Sequence, residues 1–253
     1  MAYVVIPPRP GEHVRIEDGA AILARCSDRL TRIAQLSSTS ATQFAATYQP
    51  LLVRWATYLQ WLPDVKTPGA TLVERRLQVA EQMLIRRQGL ILPFGAEPEQ
   101  ASRDADLWTF TAFSVALLRR LGTALAPLAI ALWSARHQAI GQWRPDLHPR
   151  GLASVKNAVT YCVYPRDSSA GAEWTLLAVG VLLPEAALHW LWREPQVLAV
   201  WKRALIAPAL PAPRSLRGCL RPPRSTPPPH RSRRRARPDG LAGKSPPTAP
   251  GAE

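Results

Sequence analysis

From Phe44 to Leu62 the apolar side chains Phe44, Tyr48, Leu51, Trp55, Leu59 and Leu62 recur every three or four residues, which puts them on one stripe of an α-helix. Ser40 followed by Gln43 is a capping-box start, and Pro63 stops the run. Pro50 lies inside it, lacks a backbone N–H, and so predicts a kink or a split into two helices. Three aromatics on such a stripe could stack nucleobases, but this spacing reads first as core.

The same periodicity continues on both sides, and a mainly α fold is expected. A first helix is expected from Ile16 to Gln35, with Ile22, Leu23, Cys26, Leu30 and Ile33 inward. A third spans Thr71 to Gln88, with Gly89 as its C-cap. Residues 91–102, rich in Pro and Gly, read as a loop. A fourth helix is expected from Asp104 to Leu121, broken by Gly122 and Pro127, and a fifth from Leu128 to Gln138. The β-branched stretch 158–164 reads as a short strand. Thr175 to Leu183 is apolar on all sides and fits either a buried strand or a helix. Pro184 and Pro195 look like first-turn prolines of short helices that carry Trp190, Trp192 and Trp201.

Both ends differ from this body. Residues 1–14, with Val4-Val5-Ile6-Pro7-Pro8-Arg9-Pro10, read as an extended arm, and 15–206 as one helical domain. At about Ala207 apolar periodicity stops, and 11 of the 26 prolines fall between Pro211 and Glu253. Residues 207–253 therefore read as a disordered Pro/Arg-rich tail, unable to bury enough apolar surface to offset ordering. One origin for it is a basic arm that binds nucleic acid without sequence preference. The other, which the composition favours, is a frameshift in a GC-rich gene, since out-of-frame codons there yield Pro, Arg, Ala and Gly.

The formal net charge of +14 points to an anionic partner, nucleic acid being the commonest. Residues 214–253 hold ten Lys/Arg against two Asp/Glu, so the tail supplies most of the excess and leaves the body at +6. No run reaches the roughly 20 apolar residues that span a bilayer. The opening residues lack a signal-peptide pattern, and Cys26, Cys162 and Cys219 share no motif spacing. A cytoplasmic protein with free thiols is expected.

Chemistry-bearing motifs are scarce. Neither G-x-x-x-x-G-K-[ST] nor G-x-G-x-x-G occurs, and Gly243-Lys244-Ser245 lacks the upstream glycine and strand. There is no C-x-x-C, no H-E-x-x-H and no nucleophile elbow. His13, His137, His148, His189 and His230 are scattered, and no pair has helical ligand spacing. Read from residues alone, the chain presents no catalytic set.

Three stretches, in order, nonetheless resemble the N-terminal domain of the TraI-type (MobH-class) relaxases of integrating conjugative elements. Ala56-Thr57-Tyr58-Leu59-Gln60-Trp61-Leu62-Pro63 is similar to that family's helix ending in Tyr-Val-Gln-x-Leu-Pro. Pro68-Gly69-Ala70-Thr71-Leu72-Val73-Glu74-Arg75-Arg76-Leu77-Gln78-Val79-Ala80 stands where the family has Gly-Gly-Leu-Leu-x-His-x-Leu-x-Val-Ala. Ala116-Leu117-Leu118-Arg119-Arg120-Leu121-Gly122 stands where it has Ala-Leu-Leu-His-Asp-Leu-Gly. A weaker match covers Pro184 to Leu205.

The resemblance implies an HD-like helical bundle whose His, His and Asp would hold a divalent ion that activates water or a phosphodiester. Here Arg75, Arg119 and Arg120 occupy those positions, and Thr123 stands at a downstream lysine. A guanidinium has no free lone pair and stays protonated, so no metal, cofactor or catalytic residue is expected at a degenerate site of this kind. Arg75, Arg76, Arg119 and Arg120 are instead expected to bind phosphate, or else to be solvated face residues.

The function that follows is a relaxase-related DNA-transfer protein, catalytically inactive and DNA-binding, with single-stranded or nicked DNA and other conjugation proteins as partners. The alternatives are an active metal-dependent phosphodiesterase or nickase with atypical ligands, and a non-enzymatic helical scaffold for another transfer protein.

Overall fold

The computed structural model describes residues 6–93, 95–168 and 171–207. The proposed tail from 208 onward and the start of the arm, 1–5, lie outside the described residues. The rest is mainly α with a small antiparallel sheet, and the short β element expected at 158–164 is one of its strands.

The first expected helix is in fact two, α1 (Gly19–Ala24) and α2 (Ser27–Ser37). A glycine at 19 lets the chain approach the next helix, α3 (Ala41–Leu59), closely: a Cβ there would lie 2.2 Å from the Val53 carbonyl oxygen. The buried Gln60 side chain reinforces the contact, accepting from the Glu17 N–H at 2.8 Å and donating to the Glu17 carbonyl at 2.9 Å. Docking of this short first segment sets its direction and ends it at Arg25.

In α3 the Ser40 hydroxyl caps the Gln43 N–H as expected, while Pro50 sits inside a continuous helix and does not split it. Tyr48 and Trp55 are fully buried, so the aromatic stripe is core. The next helix, α4 (Leu72–Gln88), opens on a complete capping box between Thr71 and Glu74 and closes at Gly89. Residues 91–102 are not all loop, because Pro98 starts the short helix α5 (Pro98–Arg103). A proline at the first helical position loses no bond there and presets φ.

Helix α6 (Ala105–Leu118) is the centre of the bundle, with every side chain from Leu107 to Leu118 buried. Its polar residues satisfy themselves within the helix: Thr111 donates to the Leu107 carbonyl and Ser114 to that of Thr111. Ser114 also accepts from the Trp201 indole at 3.0 Å. The helix stops at Leu118, three residues short of the expected Leu121, because Arg119 turns extended (ψ 131) and Arg120 left-handed (φ 53). Gly122 then lies inside α7 (Leu121–Leu125).

The fifth expected helix is a strand. Leu128, Ile130 and Leu132 alternate inward in β2 (Leu128–Trp133), within a sheet that also holds β1 (Val14–Arg15), β3 (Ala139–Trp143) and β4 (Thr160–Pro165). All pairs are antiparallel in the order β1-β4-β2-β3. Ser134 closes the β2–β3 hairpin, its hydroxyl accepting from the Arg136 and Gln138 N–H groups while His137 takes φ 55. The last described elements are α8 (Ala172–Leu182), α9 (Glu185–Trp192) and α10 (Pro195–Ile206), which resolves 175–182 as helical with Leu183 as the extended C-cap.

Among the described residues no single helix is long and apolar enough to cross a membrane; α8 and α9 reach that length and composition only as a pair bent by 110°.

Candidate functional site

The arginines singled out by motif position come together. Packing of α4 against α6 and its continuation brings Arg75, Arg76, Arg119, Arg120 and Thr123 to the wall of one cavity of about 650 Å³. Leu72, Val79 and Val115 form its apolar side, and the turn before α4 adds Asp64 and Lys66. Five cations thus face one carboxylate.

Each guanidinium is held differently. Arg76, on α4, donates to the Arg119 carbonyl at 2.6 Å, which caps the end of α6. Arg119 donates to the Ala207 carbonyl at 3.0 Å just past α10, and its Nε is buried without a partner. Arg75 donates to the Gln78 amide oxygen at 3.0 Å. Arg120 is fixed through its backbone, whose N–H donates to the Leu205 carbonyl at 3.2 Å; its guanidinium has no hydrogen-bond partner among the described residues. Within the described residues none of the four arginines forms an ion pair.

Burial and, after it, like charge act on these guanidinium groups. Burial pushes the Arg76 guanidinium down to about 10; Asp64 opposes this, while Arg119, Arg120 and Arg75 add to it. Arg119 is lowered as well, by burial first and then by Arg120. At about 10, Arg76 remains protonated at neutral pH. Among the described residues the pocket therefore carries an excess of positive charge.

A divalent cation does not fit this donor set. Guanidinium and ammonium groups offer no lone pair, and the lone carboxylate Asp64 already accepts from the Lys66 N–H at 3.0 Å. Among the described residues no group of three or more His, Cys, Asp and Glu side chains is arranged to hold a metal. His13 and His137, far apart in the chain, do meet at 6.2 Å between ring centroids beside Trp133.

Sequence reasoning missed Asp64 and Lys66. They sit in a polar turn that carries no motif, and only the fold of that turn over the start of α4 brings them to the cavity.

A mainly α domain with a small antiparallel sheet and a strongly cationic pocket is the class that fold and site define. The family model TraI_2, described as "Putative helicase", matches residues 14–207, and the chain belongs to that family. Membership supports a conjugation-related, relaxase-like role. No curated protein matches the chain.

Proposed function

We propose that this protein is a relaxase-related component of conjugative DNA transfer that binds DNA through phosphate at the Arg75–Arg76–Arg119–Arg120 pocket and performs no metal-dependent cleavage there. The observation that carries the reading is the convergence of five cations and one carboxylate on a single cavity. Arginine forks match phosphate oxygens, and Arg75, Arg76 and Arg119 each use one described hydrogen bond of the five donors a guanidinium carries, while Arg120 uses none. The position of three of these arginines in the family's metal-ligand motifs supports descent from an HD-like, MobH-class relaxase domain of an integrating element, with anion binding replacing cation binding.

The test is equilibrium binding of single-stranded DNA by the full chain, with Arg75, Arg119 and Arg120 changed to Ala singly and together. The tail is identical in all variants, so its contribution cancels. Each lost phosphate contact should lower the slope of log K against log salt by about 0.7. Affinity and slope that match the parent in the triple variant, with the fold intact by circular dichroism, would discard the pocket as the DNA site. Stoichiometric metal surviving dialysis, or Mn-dependent nicking, would discard the inactive reading. A scaffold role draws on a different observation, the exposed Trp192 on α9, because aromatic anchors are enriched at interfaces.

A further inference from the structure

The shape and lining of the arginine pocket bear on which phosphate it takes. Proteins that track single-stranded backbone combine a groove several nucleotides long with aromatic side chains on which bases stack. None of the described lining residues here is aromatic, and Tyr48, Trp55 and Tyr58 of α3 are committed to the core. The cavity, at about 650 Å³, has the size of a site for one small ligand (about 300–1,000 Å³). Its charges are concentrated as well: Arg75 and Arg76 adjoin on α4, and Arg119 and Arg120 adjoin at the break after α6. Leu72, Val79 and Val115 offer apolar surface beside them.

A phosphodiester carries one negative charge. A terminal phosphate carries nearly two at neutral pH and exposes three acceptor oxygens. Resting on the anion-binding reading above, we infer that the pocket takes the terminal phosphate of a nucleotide, end-on, in preference to the diester backbone, with the apolar wall receiving the attached sugar and base. A phosphorylated strand end and a free nucleotide present this same group.

Fluorescence anisotropy on the full chain separates the cases. The probes are a 3′-labelled trideoxynucleotide with a 5′-phosphate, the same trimer with a 5′-hydroxyl, and unlabelled thymidine mono- and triphosphate and pyrophosphate as competitors. The phosphorylated trimer should bind at least about tenfold more tightly, the scale of one added charge-assisted hydrogen bond. Arg120→Gly, chosen because glycine accepts the left-handed backbone there, should erase that difference while the thermal melt stays cooperative. Competition by the free nucleotides as strong as by the phosphorylated trimer identifies a free nucleotide as the ligand; weak competition identifies a strand end. Equal affinity for the two trimers, with both weakened by the pocket substitutions, overturns this inference and leaves backbone binding standing. Binding of both that ignores the pocket substitutions overturns the two together. Should a variant fail to fold, pyrophosphate displacing the phosphorylated trimer from the parent no better than orthophosphate would count against a multiply charged ligand.

Discussion

Arg120 is held with φ 53 at the break between α6 and α7, a conformation that disfavours any residue with a Cβ. The penalty is about 1–2 kcal/mol. Replacing it with Gly removes that strain but adds about 0.5–1 kcal/mol of unfolded-chain freedom. The backbone N–H bond to the Leu205 carbonyl survives, and one of several mutually repelling guanidinium groups disappears. The fold should therefore gain about 0.5–1 kcal/mol, a rise in Tm of about 1–4 °C for a domain of this size.

Binding should move the other way. A charge-assisted hydrogen bond contributes about 1.5–3 kcal/mol, so DNA affinity should fall about ten- to a hundredfold. Arg120→Ala keeps the left-handed strain and loses the same charge; it should bind as weakly as the glycine variant without the gain in stability. Urea denaturation followed by circular dichroism, beside anisotropy at one fixed salt concentration, reads both quantities. An Ala variant more stable than the Gly variant would show that residue 120 is not left-handed. Parental affinity in both would show that this guanidinium meets no phosphate.

Gly122→Ala tests the close approach beside the pocket. A Cβ there would lie 1.8 Å from the Gly171 carbonyl oxygen and 2.8 Å from the Thr175 nitrogen, so α7 and α8 must separate, at a cost of about 3 kcal/mol read by denaturation. A loss under about 1 kcal/mol contradicts that contact. Thr71→Ala removes the cap of α4 and should destabilise by about 1 kcal/mol, largely recovered by Thr71→Ser; equal losses in the two would assign the effect to the buried methyl group. Arg76 predicts a pH effect of known sign. Its folded value of about 10 lies below the ordinary 12.5, so above pH 10 the unfolded chain holds more protons and stability rises with pH. Relative to Arg76→Gln, the parent should gain stability as pH passes 10, and a flat difference refutes the shift.

The helical part of the fold was legible where local signals agreed. In α3 and α4 the apolar period, an N-cap hydroxyl and a terminal breaker all name the same segment. Where they conflicted, distant contacts decided. Leu128-Ala129-Ile130-Ala131-Leu132 fits a strand by alternation and a helix by its alanines and its four-residue spacing. Pairing with the distant residues 160–165 settles the choice for strand. Gly122 reads as a helix breaker in the sequence, yet the break falls at Arg119 and Arg120. What glycine supplies at 122 is room for the Gly171 backbone, which no local pattern reveals.

The pocket was legible only through motif position. Arginine pairs on helices are ordinary surface features, and nothing in their spacing says that residues 75 and 119 face each other. The carbonyl bonds that hold Arg76 and Arg119 cap the ends of α6 and α10, which is a structural purpose for these side chains. Capping uses one hydrogen bond on each guanidinium, however, and a guanidinium has five N–H donors. Anchoring also removes the rotamer freedom that a long cation would otherwise lose on meeting its ligand. A purely structural role would leave the excess charge unexplained: one carboxylate faces five cations, and Arg120 contributes charge without any described side-chain bond. On the proposed reading, structural anchoring and anion capture draw on the same geometry, and only the second gives the Arg120 guanidinium a role.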